Sequence, residues 1–185
     1  MDAVRHAAAS IKAVPVSWIA SFVVALPQYF TGRVGPSGLG SASTAAQVGE
    51  VLAANIKNKT CLITGVGPNG IGLEAARVML LRGATVIVAA RRPDVAREAV
   101  ETAVEADAEC CGRLHAVRLD LSSLKDIDRC AAEVIKLGLP IDTIIFNAGV
   151  MMCPLLRTTE NMEMQVSTIP RYACSFCGRN LPRAP

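Results

Sequence analysis

The stretch that decides the fold is residues 60–72, Thr-Cys-Leu-Ile-Thr-Gly-Val-Gly-Pro-Asn-Gly-Ile-Gly. A short apolar run enters a glycine-rich turn, and a helical pattern of apolar residues leaves the turn at Ile71. A strand, a phosphate-holding loop and a helix N-terminus follow one another in this way where a dinucleotide binds. The stretch therefore predicts a loop for the pyrophosphate of a dinucleotide. The alternative is an ordinary strand-to-helix turn.

Each glycine of this loop has its own expected task. Gly65 permits a tight turn, Gly70 lets the backbone approach a pyrophosphate, and Gly72 lets the helix pack closely on the sheet. The spacing G-x-G-x-x-G is a weak signal by itself, since the chain has 14 glycines among 185 residues, and the flanking patterns strengthen it. The candidate phosphate-binding residues are Gly65, Val66, Gly67, Asn69, Gly70 and Ile71.

Beyond the loop, apolar β-branched runs alternate with amphipathic helical patterns. We expect strands over residues 60–64, 84–90, 114–119 and 141–146. We expect helices over residues 45–56 and 71–82, from an N-cap at Asp94 to about 109, and after Ser123 in a capping box with Asp126. The buried face of the second of these helices should carry Ile71, Ala75, Val78 and Met79. Four β–α alternations predict an α/β fold with a doubly wound parallel sheet.

The ends of the chain differ from this middle part. An apolar N-terminal segment and a Gly/Ser-rich linker occupy residues 1–43, the sheet domain 44–165, and an irregular tail 166–185. Residues 13–30 are apolar, but Pro15 and Pro27 leave an uninterrupted part that is too short to span a bilayer. Three interpretations stay open: an interfacial membrane anchor, a cleavable targeting segment, and a helix packed on the domain.

Charge and cysteine content exclude some classes of function. The net charge is +3, but residues 50–165 carry 13 basic and 15 acidic residues, so no basic face for nucleic acid is expected there. The seven cysteines are scattered, and Cys61 and Cys130 fall on apolar positions, as buried thiols in a reducing compartment do. Cys174 and Cys177 have the spacing of half a zinc site but lack a second pair, so we expect no metal.

In a doubly wound sheet, ligands bind at the carboxyl ends of the strands, at the point where the strand order reverses. The end of the second predicted strand carries Arg91 and Arg92, where an acid would hold the 2′-hydroxyl of NAD. Because arginine pairs with phosphate through two hydrogen bonds, the pair favours NADP over NAD. The alternative is two solvated arginines.

The third and fourth strand ends supply the remaining candidate residues. Asp120, followed by Leu121, can accept a hydrogen bond from an adenine amino group or can cap the next turn. Asn147, Ala148 and Gly149 follow the fourth strand and place small residues where a cofactor ribose would pass.

Together, Thr64-Gly65, Gly70-Ile71-Gly72, Arg91, Asp120-Leu121 and Asn147-Ala148-Gly149 resemble the short-chain dehydrogenase/reductase family. Within it, the similarity is to the retinol-dehydrogenase-like branch, with the WW-domain oxidoreductases and plant members associated with the plastid envelope translocon. The resemblance covers about residues 30–165. It implies a Rossmann-type domain that binds NADP, hydride transfer on a carbonyl or alcohol, and a plastid-envelope or endoplasmic-reticulum location in preference to the cytoplasm.

Two departures from the family pattern matter. Four residues separate Gly65 from Gly70, where the family has three. The family's catalytic Ser and Tyr-x-x-x-Lys have no counterpart, since Phe176 stands four residues after Tyr172 and Arg33 four after Tyr29. The similarity stops after about residue 165, as a frameshift, a retained intron or a misjoined exon would produce. We therefore expect the N-terminal half of the fold, with about four strands and no catalytic residues.

The sequence thus leaves several functions open. The first is an NADP-dependent reductase or dehydrogenase by family, whose carbonyl or alcohol substrate requires a full-length form. The second is a non-catalytic dinucleotide-binding or interaction module that self-associates through an exposed sheet edge, or an unstable truncated product. A methyltransferase with a similar loop is a third, which the arginine pair and Asn147-Ala148-Gly149 disfavour.

Overall fold

The computed structural model describes residues 34–105 and 110–168. The apolar segment 13–30, Cys174, Cys177 and the rest of the tail beyond residue 168 lie outside the described residues. By its contacts the chain divides into two units, Met1–Val48 and Gly49–Pro185. Within the described ranges, no helix has the length and apolar character needed to cross a membrane.

The described residues form six helices and four strands in the predicted alternation. The helices are α1 (Ala45–Val51), α2 (Ala53–Ile56), α3 (Ile71–Leu81), α4 (Pro93–Glu105), α5 (Leu124–Lys136) and α6 (Met164–Val166). The strands are β1 (Thr60–Thr64), β2 (Thr85–Ala90), β3 (Arg113–Arg118) and β4 (Thr143–Ile145). All strand pairs are parallel, in the order β3-β2-β1-β4. The order reverses between β1 and β4, which confirms the predicted doubly wound sheet and sets its switch point there.

The central strands are buried on both faces, so their side chains divide between two apolar layers. Alternate residues such as Ile63 and Val88 pack with α3 and α4 on one face. Their neighbours, such as Leu62 and Ile87, pack with α5 on the other. This division explains why β1 and β2 are continuous apolar runs, as strands covered by helices on both sides must be.

Local signals set several element ends. The turn after α3 contains Gly83, and the turn after α5 contains Gly138, each with the positive φ that favours glycine. The predicted N-cap Ser123 is confirmed, because its Oγ accepts a hydrogen bond from the Asp126 amide at 3.4 Å. The rest of the capping box is not formed. The Asp126 carboxylate instead pairs with Arg118 at 3.5 Å and with Arg129 at 3.0 Å.

Three other local predictions were wrong. Pro93 is the first residue of α4, so Asp94 lies in the first turn and does not cap it; a proline preorganises the first helical position. The single helix expected over 45–56 breaks at Leu52 into α1 and α2. Ile71 is 85% exposed, because it is the first residue of α3, whose apolar face meets the sheet only further along.

The fourth strand is shorter than predicted and begins after Asp142, whose side chain binds residues at the amino end of β1. Its carboxylate accepts hydrogen bonds from the Lys59 ammonium at 2.8 Å and from the Thr60 amide at 2.9 Å. Its own amide donates to the Thr60 carbonyl at 3.0 Å. Asp142 thereby joins the amino ends of β1 and β4. The hydrogen bonds from Lys59 and Thr60 lower the pKa of Asp142.

We expect Ile87→Ala to lower the free energy of unfolding by about 2–5 kcal/mol, because Ile87 is fully buried between β2 and α5. Chemical denaturation measures this change. Ile135→Ala is the matched control, since Ile135 is 49% exposed on the outside of α5 and should change stability by about 0.5 kcal/mol or less. Equal effects at the two positions would contradict the assignment of the core.

We also expect the contribution of Asp142 to stability to depend on pH. A carboxyl whose pKa is lower in the folded state stabilises the protein above its unfolded pKa, and this stabilisation disappears as the pH falls through the folded pKa. Asp142→Asn should therefore lower Tm slightly at pH 7, with the difference from the wild type vanishing in acid. Thermal unfolding across pH measures it. A difference that stays constant with pH would contradict this role.

Candidate functional site

The carboxyl ends of all four strands open into one cleft of about 410 Å³. The predicted residues that line it are Gly65, Val66, Gly67, Arg91, Arg92, Asp120, Leu121, Asn147, Ala148 and Gly149. Asn69, Gly70 and Ile71, also predicted for the site, do not line it. The sheet therefore brings together residues that lie up to about 80 positions apart in sequence, at the reversal of strand order where ligands bind in such folds.

The side chain of Asn147 ties the two strands on either side of the switch point. Its Nδ2 donates hydrogen bonds to the carbonyl oxygens of Thr64 and Gly65, each at 3.0 Å. The amide of Ala148 donates to Thr64 Oγ1 at 3.1 Å. The sequence suggested only that small residues at 147–149 leave room for a ribose, and it did not indicate this structural role of Asn147.

Two glycines of the loop are required by this close approach. Gly65 has φ +70°, and a Cβ on it would lie 2.5 Å from Ala148 Cα. A Cβ on Gly72 would lie 2.6 Å from Asn147 Nδ2. These contacts agree with the tight turn and the close helix packing expected of the two glycines. At Gly67, by contrast, an added Cβ would meet nothing within 4 Å.

The second strand end supplies the cationic side of the cleft. Arg91 and Arg92 are both exposed and both line it. Partial burial acts to raise the pKa of Asp120, but hydrogen bonds from Ser122 and the charges of Arg91 and Arg118 outweigh it, so the pKa is lowered. Asp120 is therefore held ionised by Ser122 and by the charges of Arg91 and Arg118. Arg92 adds a further cation to the lining of the cleft.

Asp120 follows the second of its two predicted roles in this structure. Its Oδ1 accepts a hydrogen bond from the Ser122 amide at 2.9 Å and from Ser122 Oγ at 2.7 Å. The carboxylate thus caps the turn between β3 and α5. Asp120 also lines the cleft, so its hydrogen bonds with Ser122 fix the orientation of the carboxylate there.

One wall of the cleft was not predicted from the sequence. It comes from the segment after β4 and includes Cys153, Leu156, Met164 and Thr168. This segment is anchored on the turn between β3 and α5: the Thr159 amide donates to the Ser122 carbonyl at 3.1 Å, and the Leu124 amide donates to Glu160 Oε1 at 3.1 Å. Its irregular backbone lacks the periodicity that marks a helix or a strand. The only local signal is Glu163, which caps α6 by accepting from Gln165 and Val166.

The buried thiols considered from the sequence lie away from the cleft. Burial raises the pKa of the Cys61 thiol to about 11 and that of Cys130 to about 12, so both are inert core residues, as expected. Among residues 34–105 and 110–168, no group of three or more metal-binding side chains comes together.

The sequence is similar to those of a known protein family. Residues 59–172 match the family model for short chain dehydrogenases. Over 138 residues, the chain is 42% identical to the chloroplastic short-chain dehydrogenase TIC 32 B of Brassica napus, covering 75% of this chain and 42% of that protein. It is 34% identical over 148 residues to human retinol dehydrogenase 13, covering 80% of this chain and 39% of the relative.

Solved structures agree. A crystal structure of an uncharacterised protein from Mycobacterium paratuberculosis superposes with a TM-score of 0.57 at 31% identity, covering 71% of this chain and 46% of that one. The chain spans less than half the length of the curated relatives it matches. Because the family model covers more than half of the chain and the parallel sheet has the matching architecture, the chain belongs to the short chain dehydrogenase family.

Proposed function

We propose that the cleft binds NADP(H), and that the chain carries the cofactor-binding half of an oxidoreductase. One observation carries this proposal: the glycine loop, the arginine pair and Asn147–Gly149 line a single cleft at the switch point of the sheet. Its volume of about 410 Å³ lies in the range of small-molecule sites. When bound, the nicotinamide ring of such a cofactor gives or accepts a hydride.

The residues present suit the parts of a dinucleotide. The open space beside Gly67 leaves the loop backbone accessible to a phosphate, and Gly65 holds the turn from which the loop departs. Arg91 and Arg92 supply two exposed guanidinium groups for a 2′-phosphate, which supports NADP over NAD. Leu121 and Leu156 add apolar surface to the same cleft. NAD remains the less favoured cofactor.

We propose that the hydride-transfer reaction is carried out by a longer form of the protein. By family, the substrate is a small-molecule carbonyl or alcohol, and the second substrate of hydride transfer is the dinucleotide. The two Brassica napus relatives are named as chloroplastic, which favours organelle targeting for this chain, with a plastid envelope or endoplasmic-reticulum membrane as the candidate surface. Contact of residues 13–30 with a membrane, and their role in targeting, stay predictions.

We expect the double variant Arg91→Ala, Arg92→Ala to weaken NADPH binding by about 10–100-fold, the effect of losing a charge-assisted contact with a phosphate. NADH affinity should change little. Calorimetric or thermal-shift titration measures both. Arg97→Ala is the matched control, because Arg97 lies on α4, pairs with Glu101 at 3.9 Å and does not line the cleft.

The outcomes of this titration separate the proposals. Equal losses for NADPH and NADH would mean that the arginines do not read the 2′-phosphate. An unchanged NADPH affinity would support the alternative that both arginines are solvated. A folded wild-type chain that responds to no dinucleotide would contradict the binding function as a whole.

A second candidate, an interaction module, is favoured by a separate observation. In the part of the chain that the structure describes, β4 is an edge strand, and the segment after it exposes large apolar side chains: Met151 at 82%, Met152 at 89% and Leu155 at 78%. Residues 143–156 also contain no charged residue to oppose association. Uncovered, uncharged strand edges pair with other chains. On this basis the chain self-associates through β4 and the segment beyond it.

We expect Met151→Lys with Leu155→Lys to shift the chain towards the monomer, because like charges at a shared interface repel each other. Sedimentation velocity over a range of concentrations measures this shift. Ile135→Lys is the control and should leave the distribution unchanged, because Ile135 is half-exposed on α5 and is not part of β4 or of the segment after it. A wild-type chain that is monomeric at every concentration would exclude this candidate.

A further inference from the structure

The extra residue of the glycine loop is accommodated in a β-turn over residues 67–70. The Gly70 amide donates a hydrogen bond to the Gly67 carbonyl at 3.2 Å. Asn69, the third residue of the turn, has φ +58°, and Pro68 is the second. Proline followed by a residue with positive φ is typical of a type II turn. The insertion therefore forms a defined turn.

This turn contributes little to the core. Pro68, Asn69 and Gly70 are all exposed, whereas Val66 at the start of the loop is 3% exposed and belongs to the core. Asn69 accepts a backbone conformation that is uncommon for a residue with a side chain. Core packing therefore does not explain the turn, and we expect the turn to affect the adjacent cleft.

The turn changes what the cleft offers to a phosphate. Pro68 lines the cleft, and Gly70 and Ile71 do not. Proline has no N–H, and the Gly70 amide is already engaged with Gly67. In glycine-rich loops, a pyrophosphate binds to such backbone amides at the helix N-terminus. In this structure the turn residue Pro68, rather than the first residues of α3, borders the cleft.

We propose that the turn formed by Pro68 and Asn69 restricts access of the pyrophosphate to the start of α3, and so sets the affinity for the dinucleotide. This inference rests on the proposed NADP(H) binding. The adenosine 2′-phosphate half of the ligand binds at Arg91 and Arg92, which follow β2, without using the turn. The pyrophosphate gains the first amides of α3 only when the turn opens. Pro68 and Asn69 are thus positioning residues for the phosphate site.

The test is deletion of Pro68, which restores three residues between Gly65 and Gly70. The ligands are NADPH, which has a pyrophosphate, and adenosine 2′-monophosphate, which has none. We expect the deletion to tighten NADPH binding by about tenfold, as one recovered charge-assisted hydrogen bond does. Binding of adenosine 2′-monophosphate should stay the same. Arg97→Ala is the matched control and should bind NADPH like the wild type, because Arg97 pairs with Glu101 on α4 and does not line the cleft.

A second variant, Asn69→Val, provides the test if the Pro68 deletion variant does not fold. A β-branched residue disfavours positive φ, so the turn opens more often at unchanged loop length, and NADPH should bind a few-fold more tightly. If NADPH affinity is unchanged in both variants, or if the two ligands tighten equally, the inference is overturned while dinucleotide binding stands. If neither ligand binds the wild type or any folded variant, the proposed function fails, and the inference fails with it.

Discussion

The contact between the ends of β1 and β4 is the constraint on which the cleft depends. Asn147 donates to the carbonyls of Thr64 and Gly65, and Ala148 donates to the Thr64 hydroxyl. These bonds bring two strands from opposite halves of the chain into contact where the strand order reverses. They also explain why the loop needs glycine at two positions, since a Cβ at Gly65 or Gly72 would overlap the residues after β4. The glycine loop and residues 147–149, for which we propose phosphate and ribose contacts, are thus parts of one packed junction.

The rest of the fold holds this junction in place. β1 is buried along its whole length, and helices cover both faces of the central strands, so the strand ends cannot shift independently. β4 has only three residues and lies at the edge, yet it is held at both ends: by Asp142 at its start and by Asn147 just after its last residue. A short edge strand can therefore carry site residues because polar side chains, rather than its own length, determine its position.

Charge and covering loops then give the cleft its character. Arg91 and Arg118 both act on Asp120, which is also bound to Ser122, so the carboxylate is ionised and directed by its turn. The segment after β4 closes one side of the cleft through two hydrogen bonds. Thr159 donates to the Ser122 carbonyl, and Glu160 accepts from the amide of Leu124 at the start of α5. The cleft therefore combines charged side chains with an apolar wall, which is consistent with the dinucleotide site that we propose.

The sequence by itself determined the fold class, the order of the elements and a group of cleft residues at the strand ends, because periodicity, glycine positions and strand ends are local signals. It was wrong where a side chain's role depends on its surroundings: Ile71 has an apolar side chain but precedes the covered part of α3, and Asp142 lies in an expected strand but binds Lys59 and Thr60. Only the tertiary structure decided that Asn147 joins two strands, that Met164 and Thr168 complete the cleft, and that the extra loop residue forms a turn. These are contacts between distant residues or choices of backbone conformation, and the pattern of neighbouring residues does not specify them.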